Sequence, residues 1–423
     1  MICLVRVPVA ANIAKPVGRT NAMNTNPFLA ALCVAAGLLP SQAGENGVPQ
    51  LATANNTFAF RLVRQLCADA PRANLFVSPY SAATALQMAA SGAAGQTKQE
   101  MEEVLATAGI SSAALSEASQ TITSLLNAPD KSVTLATANA LWYRQGPEIR
   151  PDFLVANQRN YQSTIRPLNF SDQPGAEAAI NQWASEQTHG RITQIANGMV
   201  DPVNTDLVLA NAVYFKGKWL DPFDAKLTRE GLFHQAAGGR QNVPMMELSK
   251  TFTYRKGSGY QAVRLPYVGG DLAMYVFLPD SGSNPARLLQ IMNGDTWRRV
   301  TVPGFSERPG HLVLPRFKIS RTLDLVPPLK ALGMKRAFTD RAELSGMFRD
   351  PHQISKVRQQ AFVDVAEEGT EAAAVTVLTV DAASARVPDP VKPFEMIVDR
   401  PFLFAIVDAR SGMILFLGVV NDL

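Results

Sequence analysis

Apolar residues recur along this chain with two different periods, and the switch between them marks most of its elements. From Asn55 to Ala68 they fall three to four apart, at Phe58, Leu62, Val63, Leu66 and Cys67, which predicts an amphipathic helix closed by Pro71. Asn74 to Ser81 reads as a short strand running into a helix, with Ser78 as cap and Pro79 in the first turn. Ala82 to Ala90 continues that helix with mostly small side chains, which implies close packing beneath another element. Thr97 with Glu100 reads as a capping box for the next helix. Ser132 to Tyr143 and Asp206 to Phe215 are apolar runs of strand length, and Pro151 to Tyr161 is helical. Later come Ala262–Tyr267 and Leu272–Leu278, joined at Gly269-Gly270-Asp271 as a hairpin. Leu312 to Ile319 reads as one strand and Leu329 to Met334 as a short helix ending near Gly333. Phe402–Val407 and Met413–Val420 form a last hairpin across 408–412. Helices crowd the first half and strands the second, which predicts an α+β fold.

One stretch fits neither period firmly. Glu367-Glu368-Gly369-Thr370-Glu371-Ala372-Ala373-Ala374-Val375-Thr376 follows a strand-like Ala361–Val365. Read as a strand, it points Thr370, Ala372, Ala374, Thr376 and Leu378 one way and Glu371, Ala373, Val375 and Val377 the other. Every side chain on the first face before Leu378 is small, so that face can slide between two strands. Gly369 supplies a backbone joint at its start. Taken alone, the ten residues also fit an Ala-rich helix.

Length and composition narrow the classes. The chain has 423 residues, 47% of them hydrophobic, enough for a large core. Length suggests two or three domains, but no Gly/Ser-rich, Pro-rich or charged spacer divides the chain after about residue 50, so a single domain over 51–423 is expected. The net charge of +4 is scattered and does not indicate a nucleic-acid face. Residues 1–43 read as a leader, followed by a short linker over 44–50. Phe28–Leu39 has the length of a signal-peptide core, too short to span a bilayer, and Ala43 lies at a small-residue cleavage site. Met23 is an alternative start. Export, to the extracellular space or a periplasm, is expected. With the leader removed, Cys67 is the last cysteine, so no internal disulfide forms, and its place on an apolar helix face reads as core.

Reaction chemistry is missing from the pattern. His189, His234, His311 and His352 lack metal-ligand spacing, and no G-x-S-x-G elbow, phosphate loop or G-x-G-x-x-G occurs. A catalytic residue, a metal and a cofactor are therefore not expected, and neither is an enzyme.

The ten-residue stretch resembles the hinge of the serpins, the serine protease inhibitors that trap a target by inserting a cleaved loop into a sheet. Asp399-Arg400-Pro401-Phe402-Leu403-Phe404 resembles the segment that follows that loop, and Asp206–Phe215 with Lys216-Gly217-Lys218-Trp219 and Pro222-Phe223 resembles another serpin run. The resemblance covers about 50–423. It implies a serpin-like domain with a large, mostly antiparallel central sheet, further sheets, about nine helices and an exposed reactive-centre loop over about 367–393. It implies suicide inhibition: a serine protease acylates itself on the loop, the freed strand enters the sheet, and the partner is carried away in a covalent 1:1 complex with a monomeric inhibitor. Counting from Glu367 by the family pattern puts the scissile bond at Ala383–Ser384, suited to elastase-like or subtilisin-like proteases. Arg386–Val387 is the alternative, suited to trypsin-like ones. Ser78, Ser81, Asn211 and Trp219 match positions that control opening of the sheet, but Gln359 stands where most serpins have His. Gln both donates and accepts, so it is able to substitute. A serpin-fold protein that binds or chaperones without inhibiting is the competing reading. Such proteins carry bulky or charged residues or Pro at the entering hinge positions, unlike Thr370, Ala372 and Ala374.

Overall fold

The computed structural model describes residues 43–126, 133–301, 303–370 and 392–423, all within one compact unit. In chain order the elements are α1 (Ala43–Asp69), β1 (Leu75–Val77), α2 (Pro79–Ser91), α3 (Gly95–Val104), α4 (Ser112–Leu126), β2 (Val133–Arg144), α5 (Pro151–Tyr161), β3 (Thr164–Leu168) and α6 (Gln173–Gln187). Then follow β4 (Leu207–Lys218), β5 (Arg229–His234), β6 (Arg240–Gly257), β7 (Tyr260–Pro266), β8 (Leu272–Pro279), α7 (Pro285–Ile291) and α8 (Gly294–Thr301). The chain closes with β9 (Ser306–Pro315), β10 (Phe317–Asp324), α9 (Val326–Leu332), β11 (Ile354–Ala366), β12 (Gly369–Thr370), β13 (Phe394–Ile397), β14 (Phe402–Asp408) and β15 (Met413–Val420).

The strands form two sheets. A nine-stranded sheet runs β1-β15-β14-β8-β7-β6-β9-β13, with β5 paired to β6. A six-stranded sheet runs β10-β11-β12-β4-β2-β3, and β11 also pairs directly with β4. Pairing in the six-stranded sheet is mixed: β11–β4 and β2–β3 are parallel and the remaining pairs antiparallel.

Small residues place α2 at the centre. Twelve of its side chains are buried, five of them alanines, and it touches β15 of one sheet and β2 and β4 of the other. Five methyl-sized positions on one helix let backbone approach backbone on several sides. Ser78 caps it as expected, its hydroxyl accepting from Ser81 N at 3.3 Å. On the opposite face of β2 and β4 lies α6, with Ile180, Trp183 and Ala184 packed against Ala138, Ala140, Trp142, Val208 and Ala210.

Three sequence expectations need correction. Residues 44–50, read as a linker, belong to α1. Gly47, Leu51 and Ala52 are buried and Val48 packs beside them, one turn of an apolar face against α4. The Thr97–Glu100 capping box does not form. Ala94 is the N-cap of α3, Thr97 lies inside the helix, and its N–H donates to Glu343 Oε2 at 3.3 Å while Thr97 Oγ1 accepts from Glu343 N at 2.9 Å. Glu100 instead turns outward to accept from Lys335 N and Arg336 N, at 2.8 and 2.7 Å. Leu312–Ile319 is two strands. Pro315 ends β9 in the nine-stranded sheet, Arg316 N donates to Pro244 O at 2.8 Å, and Phe317 opens β10 in the six-stranded one. Leu312, Val313 and Leu314 are buried in one sheet and Phe317 and Ile319 in the other, so apolar residues on both sides of Pro315 hide the crossing.

Leu51 is 2% exposed. If the head of α1 is part of the core, Leu51→Ala should cost about 2–4 kcal/mol, the usual loss for a buried leucine. The midpoint of urea unfolding measures it, and an unchanged midpoint would return these residues to a linker.

Candidate functional site

Strands β4 and β11 meet along a parallel seam from Leu207 and Ile354 to Tyr214 and Phe362. Above that seam the two strands part, and β12 lies between them. Thr370 pairs with Val365 on one side and Gly217 on the other, and Gly369 with Ala366 and Lys218, antiparallel to both neighbours. The first hinge residues are thus already a strand of the sheet, at one end of a seam that is otherwise closed.

Local chemistry explains why these two residues enter. Gly369 has φ +155°, and a Cβ there would lie 2.1 Å from Gly217 O and 2.7 Å from Lys218 Cα. Only glycine passes that point. Thr370 is fully buried, and its hydroxyl shares a hydrogen bond of 2.8 Å with the Tyr267 hydroxyl. Burial raises the Tyr267 phenol well above its ordinary range, and the bond to Thr370 only partly offsets this, so the phenol stays protonated. Trp219 stacks on the Tyr267 ring at 4.7 Å between centroids. Its indole N–H donates to Ala366 O, its backbone N–H to Glu368 O, and Phe223 N to Glu367 O, at 2.9, 2.9 and 2.8 Å. The turn from β11 into β12 therefore hangs on one tryptophan and its neighbours.

Glu367 closes the turn. Its carboxylate is almost buried and accepts from Arg316 and from Thr228 Oγ1, the latter at 2.7 Å. Burial pushes its pKa up, but donation from Arg316 and Thr228 outweighs this and holds it below the usual glutamate value.

Midway along the seam a buried polar rung crosses three strands: Gln359 pairs with Asn211 and Asn211 with Asn139. Gln359 Nε2 donates to Asn211 Oδ1 and to Ser78 O, the second at 2.9 Å, while Gln359 Oε1 accepts from Ser78 N at 2.8 Å. Asn211 Nδ2 donates to Ser81 Oγ and Asn139 Oδ1, and Ser78 Oγ to Leu415 O at 2.7 Å. The amide of Gln359 saturates both its own ends, which is what a donor–acceptor group in a dry site must do. Sequence reasoning brought Ser78, Ser81, Asn211, Trp219 and Gln359 into one region, and the structure assembles the first three with Gln359 in one network and Trp219 at the end of the seam. It missed Tyr267, Arg316, Thr228, Gly217 and Asn139. A single Asn inside the apolar run around Ala138 and Ala140 was the one signal available; nothing in the sequence points at Arg316 or Thr228. Of the hinge, Glu367, Glu368, Gly369 and Thr370 are seen. Glu371, Ala372, Ala373, Ala374, Val375, Thr376 and both candidate bonds, Ala383–Ser384 and Arg386–Val387, lie outside the described residues.

The chain leaves the six-stranded sheet at Thr370 and rejoins the described residues at Lys392, entering the nine-stranded sheet through β13, parallel to β9. A fold whose inter-sheet segment starts as a seated strand at the mouth of a parting seam, with its far end fixed in another sheet, sets the class of this protein. Comparison with known proteins gives the class its name: residues 53–423 match the family model Serpin (serine protease inhibitor), and the chain belongs to the serpin family. It is similar to the leukocyte elastase inhibitor of Bos taurus, 36% identical over 383 residues that cover 88% of this chain and 99% of that one. Among solved structures it resembles Serpin48 of Tenebrio molitor, with TM-score 0.76 and 32% identity over 88% of this chain and 98% of that one. It also resembles the thermophilic serpin Tengpin in its native state, with TM-score 0.80 and 28% identity over 88% and 94%. The α+β serpin fold, with nine α-helices among the described residues, matches the expected class.

A carboxylate whose pKa is depressed stabilises the fold fully above its unfolded value and ceases to do so as pH falls through the folded one. Glu367→Gln should therefore be less stable than the parent at neutral pH, with the gap shrinking as pH drops below about 4.3. Thermal midpoints of the two proteins across pH 3–7 measure it; a gap independent of pH would remove the ion pair from the account.

Proposed function

We propose that this protein inhibits serine proteases as a suicide substrate. The observation that carries the reading is β12: Gly369 and Thr370 already pair with both β4 and β11 while the seam beyond them is closed. The protease serine attacks the loop carbonyl and expels the new amine, leaving an ester to the loop. The freed strand then continues where β12 began. About 15 residues at ~3.3 Å each carry the acylated enzyme roughly 50 Å. Displacing its catalytic groups by even ~1 Å slows hydrolysis of the ester severely. Small side chains at Thr370, Ala372 and Ala374 let insertion outrun that hydrolysis.

The reactive bond we assign to Ala383–Ser384, and the target to elastase-like or subtilisin-like enzymes with shallow pockets; similarity to a protein named for leukocyte elastase supports the choice. The inhibitor acts as a monomer and forms one covalent complex per protease. We also infer export, from the apolar run 28–39 and the small residues before Ala43. Cys67 fits a thiol with no part in the reaction: burial pushes it up to about 11, far from a reactive thiolate.

Mixing the protein with pancreatic elastase, subtilisin and trypsin, followed by denaturing gels and mass spectrometry, tests the reading. A denaturant-resistant complex with elastase or subtilisin and a C-terminal fragment starting at Ser384 is expected. A complex with trypsin alone and a fragment starting at Val387 would move the bond to Arg386. Cleavage with no complex and no gain in thermal stability would make this a non-inhibitory member of the fold. Thr370→Arg should be cut as a substrate with little or no complex, because an unpaired charge beside Tyr267 costs several kcal/mol. Undiminished complex formation by that variant would refute insertion.

A further inference from the structure

The seam between β4 and β11 is tied at its foot, the end farthest from β12. Asp206 stands just ahead of β4, and its carboxylate accepts from His352 Nδ1 at 2.8 Å and Gln353 N at 2.9 Å, both just ahead of β11. Its backbone N–H donates to Ser355 Oγ at 2.8 Å, and Ser355 Oγ in turn donates to Asn204 O at 3.3 Å. The Asp206 carbonyl accepts from Arg144 N of β2 at 2.9 Å, so the residue is also fixed to the strand behind it. His352 is held against the Phe348 ring, 4.3 Å between centroids, and its Nε2 is buried without a hydrogen bond. An imidazole placed at that cost serves one partner, Asp206. The rest of the seam is joined by backbone pairing and by Gln359, whose amide is shared with Ser78.

The register of β12 shows when this tie matters. An inserted strand continuing that register would stand opposite Asn211 and Gln359 at position 376, a pair already facing each other in the closed seam. It would reach Asp206 at position 381. Up to that point the strand replaces backbone pairing and the neutral Gln359–Asn211 amide bond, and at Asp206 it must part a charge-assisted bond. Position 381 is itself an aspartate, so its arrival also sets one carboxylate against another.

We infer that Asp206, with His352, Gln353 and Ser355, forms a clasp that limits the last stage of strand insertion. The inference rests on the inhibitory reading above. It makes Asp206 a positioning residue: it touches neither protease nor reactive bond, and acts by how readily β4 and β11 separate at their far end.

Two measurements on the full chain test it. The first is hydrogen exchange of the backbone amides of 207–209 and 354–357, with 212–214 as an internal reference, in the uncleaved protein. The second is the share of covalent complex over cleaved inhibitor formed with pancreatic elastase or subtilisin. Asp206→Ala should speed exchange at the foot on the order of tenfold, as loss of a charged hydrogen bond does, leave the reference amides unchanged, and raise the share of complex. Asp206→Asn, which keeps one acceptor oxygen, should fall between the two. If Asp206→Ala does not fold, Asp206→Asn and Ser355→Ala carry the same comparison. Exchange at the foot equal to the parent's in these variants would overturn the clasp, and faster exchange with an unchanged share of complex would overturn its limit on insertion. Faster exchange in a protein that forms no complex with any protease would leave the clasp standing and remove the inhibitory reading instead.

Discussion

Everything in this structure turns on one parallel contact, β4 against β11. Parallel pairing is the less favourable kind per residue, and here it joins two strands each paired antiparallel on their other side. A strand that replaced it would gain two antiparallel ladders for one parallel ladder lost. More than backbone pairing holds this seam shut. Side chains do this at three levels: the Trp219–Tyr267 stack at the mouth, the Gln359–Asn211–Asn139 rung in the middle, and Asp206 at the foot.

The middle rung also shows how one substitution is absorbed. The histidine that the family resemblance leads one to expect here presents two ring nitrogens in fixed directions. Gln359 reaches the same neighbours with an amide, donating to Ser78 O and Asn211 while accepting from Ser78 N. The difference is in titration. An amide neither gains nor loses a proton across physiological pH, so this rung is blind to acidity where an imidazole is not.

Much of the fold was legible from period alone, since β2, β4, β8, β14 and β15 are buried runs of strand length and α5 is bounded by its own proline. What escaped detection had physical reasons. β6 alternates unevenly because its first half pairs with β5 and its second with β9 and β7, so its pattern belongs to no single partner. The break at Pro315 has buried apolar residues on both sides, Leu314 before it and Phe317 and Ile319 after it. Glu343 caps α3 from 246 residues away, a contact no window along the chain contains. The hinge stood out because small residues at alternate positions are unusual in so apolar a chain. Its seat did not, because Arg316, Thr228 and Tyr267 come from three strands or their flanks and acquire meaning only when the sheets are brought together.

The two ends of the 371–391 segment belong to different sheets, and that separates what a cut would do to the covalent chain from what it would do to the folded body. Everything after Lys392 is woven into the nine-stranded sheet: β13 pairs with β9, β14 lies between β8 and β15, and β15 bonds to β1 near the other end of the chain. Phe394 lies flat on Tyr254 at 3.8 Å. A nick in the segment thus yields two polypeptides that share one core, with the shorter piece supplying interior strands the longer piece cannot replace. The molecule is built as a pre-assembled pair of fragments, joined by strand pairing between the parts on either side of the connecting peptide.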